Sequence, residues 1–125
     1  MPVKTAIVIL SDPRSGEEAL GRLFNALAAA REFKQAGDPV TVLFQGTGTR
    51  WSGPLAQPDH PAHGLFQDVR DVVAGVSWGC AAAFGAVGDA QASGLPLLSD
   101  HQLPGTPGVA GLRTLAADGY QILTF

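Results

Sequence analysis

Val3-Lys4-Thr5-Ala6-Ile7-Val8-Ile9-Leu10 is the chain's first apolar run, and Ser11-Asp12-Pro13-Arg14-Ser15-Gly16 follows it. A continuous β-branched and aliphatic run is the signature of a strand buried on both faces, as in a parallel sheet. The six residues after it are turn chemistry. Ser15 or Gly16 can cap a helix there, and Glu17 and Glu18 suit its positive end. Leu20, Leu23, Phe24, Leu27 and Ala30 then recur at helical spacing and form one apolar face. Arg22 and Asn25 fall off that face and read as solvated. Gly37 ends the helix as a left-handed cap. Pro39-Val40-Thr41-Val42-Leu43-Phe44 is a second buried strand. Strand, helix and strand in this order make a βαβ unit, so the two strands are expected to be parallel.

Outward from that unit the pattern continues. Residues 45–63 lack periodicity and hold Pro54, Pro58 and Pro61. A loop this long inside a compact domain is more often functional than not. Leu65, Phe66, Val69, Val72 and Val73 mark a short amphipathic helix that Gly75 is expected to break. Val76 to Trp78 reads as a third strand, and a helix opening near Cys80 is expected to run towards Ser93. Leu95 to Leu98 is a fourth strand candidate. Thr106-Pro107 reads as the cap and first turn of a helix carrying Val109, Leu112, Leu115 and Ala116. Tyr120 to Phe125 is a last strand. The fold expected is a three-layer α/β/α sandwich around a mainly parallel sheet of about five strands, with residues 1–125 forming a single domain.

Composition narrows the function classes. The net charge is −3, with no clustered basic residues, so nucleic acid is not an expected partner. No apolar run approaches the ~20 residues needed to span a bilayer, and none resembles a secretory leader. Charged residues make up only 15% of the chain, which suits a surface partly hidden in a homo-oligomer. The single cysteine excludes an intramolecular disulfide and suits a reducing compartment, so a cytoplasmic location is expected.

That cysteine lies in Gly75-Val76-Ser77-Trp78-Gly79-Cys80-Ala81-Ala82-Ala83-Phe84-Gly85, read as strand, tight turn and helix. Cys80 then sits at or beside a helix N-terminus, where backbone N–H groups and the dipole favour a nucleophilic thiolate. Equally, a free cysteine can be a small buried apolar residue. Ligands in parallel sheets bind at the carboxyl ends of strands. The segments leaving those ends hold Ser11, Arg50, Trp51, His60, His63, Ser77 and His101, the pocket candidates around Cys80.

Other motifs are weaker. Gly46-Thr47-Gly48 begins like a dinucleotide fingerprint, but Trp51 stands where the third glycine belongs and no helix opens there as the motif requires. With no phosphate loop either, no cofactor is expected. His60 and His63, with Cys80 or His101, offer metal-ligand chemistry, but their spacing is too loose for a structural zinc motif, and no metal is expected. A histidine could support Cys80 as a base. Arg50-Trp51 could present a cation and a ring to a ligand; Trp51 reads rather as a packing anchor, in its own subunit or at a subunit contact.

The assembled pattern resembles the DsrE/DsrF-like family over almost the whole chain. The resemblance rests on the opening strand ending Val8-Ile9-Leu10-Ser11-Asp12 and on Gly21-Arg22-Leu23-Phe24-Asn25-Ala26-Leu27. It continues through Val42-Leu43-Phe44-Gln45-Gly46-Thr47-Gly48-Thr49-Arg50-Trp51, Cys80-Ala81 with Phe84-Gly85-Ala86, and Ala117-Asp118-Gly119-Tyr120-Gln121-Ile122-Leu123-Thr124-Phe125. It implies an α/β/α fold and a homo-oligomer, often trimeric or hexameric. It also implies a persulfide relay role, with Cys80 at the position of the sulfur-carrying cysteine and a sulfur donor or acceptor protein as partner. Ser77-x2-Cys80 offers one thiol where Cys-x2-Cys would offer two, so a dithiol cycle within one chain is not available. The alternative is a non-catalytic oligomeric module that binds a small ligand.

Overall fold

A computed structural model describes residues 2–125. Five strands form one sheet: β1 (Thr5–Ile9), β2 (Val40–Phe44), β3 (Val73–Ser77), β4 (Leu97–Leu98) and β5 (Gln121–Thr124). Every pairing between them is parallel, and the spatial order is β4-β3-β2-β1-β5. β1 is therefore central, between β2 and β5, and all five of its residues are buried. This is the burial that its unbroken apolar run implied.

The order explains the layers. β1 to β4 step outward in one direction, so right-handed crossovers put their connecting helices on one face. Those helices are α1 (Glu17–Gln35), α2 (Ser52–Leu55), α3 (His63–Val69), α4 (Trp78–Ala83) and α5 (Val87–Ser93). The last connection runs back the other way and must pass over the opposite face. It carries only α6 (Arg113–Ala117). Strand alternation feeds both cores. Ile7, Ile9, Val42, Phe44 and Val76 pack with Leu23, Leu27, Leu55 and Phe66 on the thick side. Ala6, Val8 and Leu43 meet Ala110, Leu112, Leu115 and Ile122 on the thin side. The molecule is an α/β sandwich with one heavy and one light outer layer. No described helix is long and apolar enough to cross a membrane.

α1 forms as its spacing predicted. Ala19, Leu23, Ala26, Leu27 and Ala30 are its buried face, and Gly37 follows its end at φ +79°. Phe24, read as part of that face, is instead half exposed.

Four local expectations are corrected. Gly75 does not end a helix: it lies inside β3, which begins at Val73, where the β2 register shifts between Val42 and Leu43. The helix after Cys80 is two helices, α4 and α5, parted at Gly85, whose φ of +72° a continuous right-handed helix cannot contain. Residues 45–63 are not a bare loop: Gly46–Trp51 is a tight helical turn that runs into α2. No helix starts at Thr106-Pro107. The Thr106 hydroxyl accepts from Gly108 N and donates to Leu103 O, closing a local turn. Val109 then pairs with His101, which delays the helix to Arg113.

Candidate functional site

The carboxyl edge of the sheet is built by residues that hold one strand's loop to the next. Trp51 is 2% exposed and its indole N–H donates to Ser11 O at 2.9 Å. The Arg50 guanidinium donates to Asp12 Oδ2 at 2.8 Å, an ion pair with both side chains about one-fifth exposed. Arg50 also donates from Nε to Phe84 O and lies over the Phe84 ring. The Arg50-Trp51 pair thus ties the turns after β1, β2 and β3 together, and Trp51 is the packing anchor that the sequence suggested. Gly48 makes this approach possible: a Cβ there would lie 2.0 Å from Ile9 O.

Cys80 occupies the third position of α4, within its first turn, and is half-buried. Ser77, the residue before α4, leaves β3 in an extended conformation. Gly79 N donates to Gly108 O at 2.7 Å, so the thin-side segment presses on the same turn. Ala81 faces the core. Trp78 and Phe84, on either side of Cys80 in the chain, are each 37% exposed. α4 packs on the Gly46–Trp51 turn, so the segments after β2 and β3 meet at the carboxyl edge.

The remaining candidates do not converge on Cys80. Ser77 is fully buried and its hydroxyl accepts from Ala110 N at 3.0 Å, a bond that fixes the thin-side segment rather than a pocket. His60 accepts through Nδ1 from Ala62 N and meets Trp51 edge-on. His63 bonds through Nδ1 to Leu55 O. Both histidines thereby order the residues between α2 and α3. His101 is exposed and belongs to the bridge with Val109. Among the described residues, no group of three or more His, Cys, Asp or Glu side chains is placed to hold a metal ion.

Cys80 lines none of three clefts that open along this side of the molecule. One of about 330 Å³ lies between Leu20, Trp51 and His60. Another, of about 320 Å³, has Arg14, Arg50 and Asp89 on its walls. A third, of about 420 Å³, lies at the ends of β1 and β5 and includes Ser11, Glu18, Arg22 and Phe125. Arg22, read from sequence as a solvated residue, is exposed but stands on this rim, paired with Glu18 at 2.7 Å. Its helical position gave no hint of the cleft, because the opposite wall comes from the far end of the chain.

Fold and edge together define a parallel α/β sandwich whose loop polar groups gather at the carboxyl ends of its strands. Among curated proteins it is similar to an uncharacterised protein of Methanocaldococcus jannaschii, with 28% identity over 69 residues, 55% of this chain and 57% of that protein. The match thus spans a little over half of the relative's length. No family model and no solved structure matches the chain.

Proposed function

We propose that the protein is a sulfur carrier in which Cys80 accepts a sulfane sulfur from one protein and passes it to another, as its DsrE/DsrF-like pattern implies. One observation carries this reading: the sole thiol is half-buried in the first turn of α4, between two partly exposed aromatic residues. Trp78 and Phe84 supply apolar surface for a docking partner. The step is an exchange at sulfur. The Cys80 thiolate attacks the outer sulfur of a donor persulfide. A new S–S bond forms at Sγ, the donor's S–S bond breaks, and the donor leaves as a thiolate. The sulfur keeps its oxidation state, so no external oxidant enters. Delivery is the same exchange onto an acceptor thiolate. A cytoplasmic setting and a trimeric or hexameric assembly belong to the same proposal, the latter supported by the low charge content.

Intact-mass measurement after incubation with a persulfide donor tests it. The wild type should gain about 32 mass units per chain, one sulfur atom, and lose them to a reductant. Cys80→Ser should stay folded and gain nothing. A folded wild type with an alkylatable thiol and no gain would overturn the relay. Sedimentation equilibrium tests the assembly; a monomer at micromolar concentration contradicts it.

The second reading, a small-ligand module, draws on the cleft at β1 and β5. That reading is of a non-catalytic oligomeric module, the alternative to the sulfur carrier, and a folded protein whose accessible thiol gains no sulfur would favour it.

A further inference from the structure

Charge is spread unevenly along this chain. Of its 8 basic and 11 acidic residues, only Asp89 and Asp100 fall within residues 72–112. That stretch supplies β3, α4, α5, β4 and the segment leading to α6. In that segment His101 and Val109 exchange both backbone hydrogen bonds, at 2.9 and 2.8 Å, and residues 102–107 stand out between them as an exposed arm. The arm lies against the first turn of α4. Gly79 N donates to Gly108 O, and a Cβ on Gly79 would be 3.5 Å from the Thr106 Cβ. α5 packs on both α4 and β4. These pieces make one continuous surface at the β4 end of the molecule, and it exposes Trp78, Ala82, Ala83, Leu103, Pro104 and Pro107. The exposed side of α1 is the opposite in character: Glu18, Arg22, Arg31 and Lys34 all take part in ion pairs there.

We infer that this face is where a second copy of the chain docks, in a two-fold contact centred on Trp78 and Leu103. The contact rests on the assembly proposed above and not on the sulfur chemistry. The centre of a protein–protein interface is depleted of charged residues and enriched in aromatic ones, and this face has that composition. Charge also selects the occupant. A partner of opposite sign needs a charged patch to read, whereas residues 72–112 hold no Lys or Arg and only two acids, one on α5 and one at the foot of the arm. A two-fold contact sets the same patch against itself. A patch of one sign would then repel its copy, and an uncharged one does not. Both anchors are held before contact, which lowers the ordering cost of binding. Trp78 opens α4, and the turn that carries Leu103 is closed by Thr106 Oγ1 donating to Leu103 O at 2.8 Å. Phe84, at the far end of α4 over the Arg50 guanidinium, marks the margin where charge resumes and is left to the sulfur-exchange partner. A two-fold contact makes a dimer, or joins two trimers into a hexamer.

Two measurements on the full chain test it. Trp51 is 2% exposed and Trp78 37%, so Trp78 is the indole that a soluble quencher reaches. Acrylamide quenching should fall as protein concentration rises through the micromolar range, because the contact covers Trp78. Sedimentation equilibrium reads the same event by mass. Leu103→Glu, on the exposed arm, should leave folding unchanged, halve the mass of the wild-type assembly and raise its dissociation constant about tenfold or more. Phe24→Glu is the control: Phe24 is 50% exposed on α1, and the new charge there should leave the mass as in wild type. An assembly that survives Leu103→Glu, or that Phe24→Glu disrupts instead, overturns the proposal. A wild-type trimer overturns it too, since a trimer has no two-fold contact. So does a wild-type monomer whose Trp78 quenching is independent of concentration, which would mean that the face serves a different protein. Sulfur loading keeps the two ideas apart. A monomer that still gains sulfur ends this proposal and leaves the carrier role standing, whereas a two-fold assembly that gains none does the reverse.

Discussion

Trp51 and Gly48 act as one device although they are opposites in size. Trp51 fills the core under the carboxyl edge and spends its only polar atom on Ser11 O. Trp51→Ala should cost ~3–5 kcal/mol, the usual range for truncating a large buried aromatic, read from the urea midpoint. Gly48→Ala should also destabilise, because its Cβ would sit against the backbone carbonyl of Ile9 rather than a movable side chain. The expected loss is at least the ~1–3 kcal/mol of ordinary overpacking; an unchanged midpoint would disprove the close approach. The sequence marked both residues, but for different reasons. Trp51 was legible as an anchor because large aromatics are rarely left idle. Gly48 was legible only as a failed nucleotide motif, since what forbids a side chain there is a strand far off in sequence. Ser77 shows the same limit: three residues before Cys80 in the chain, it looked chemical, yet its hydroxyl accepts from Ala110 N.

Among the elements, α1 is the one that its own sequence specifies most fully. Its periodic apolar face, acidic first turn and following glycine are all local signals. Gly21 lies in its exposed interior with open space where a Cβ would go. Gly21→Ala should therefore stabilise the protein by about 0.5–1 kcal/mol, measured by the thermal midpoint. The far end of α1 is held by Lys34, which donates to Asp68 O and to Asp71 Oδ1. The Lys34 hydrogen bond, helped by its charge, holds the Asp71 carboxyl below its ordinary value. A depressed carboxylate stabilises the fold above its unfolded pKa and loses that contribution as pH falls through its folded one. Asp71→Asn should thus remove part of the acid sensitivity below about pH 4 and leave the slope near neutrality unchanged. Unfolding curves across that range, superimposable for the two proteins, would refute the coupling. The elements that sequence misplaced are those without local signals. α4 and α5 part at one positive-φ glycine, and the segment before α6 is shaped by the His101–Val109 bridge, which no periodicity announces.

At the scale of the molecule, α/β class and parallel strands followed from alternating elements and fully apolar runs. Strand order did not, because five similar strands can be arranged in many ways that leave every local pattern intact. The cleft was invisible for that reason: it needs β5 beside β1. The layers make a separate prediction. The thick side has five helices, and the thin side has α6 with the segment before it. β5 is an edge strand whose residues are all at least partly exposed, whereas β1 is wholly buried. Native-state hydrogen exchange should find the slowest amides in β1 and β2 and faster opening in β5. Equal protection across the sheet would mean that the thin side is covered in solution by something else.

The strand order also has a kinetic side. β1, β2, β3 and β4 can dock one after another, each loop closing over a short stretch of chain. β5 has no such neighbour in sequence; it must return past the whole sheet to reach β1. Closing that large loop is the slow, entropically costly contact of the topology. Pulse-labelled exchange during refolding should accordingly show β5 gaining protection after β1 to β3, and simultaneous protection would contradict this. Because one wall of the cleft arrives with β5, the cleft comes into being only when the chain completes its circuit. Whatever lodges there would act as a latch on the final step of assembly.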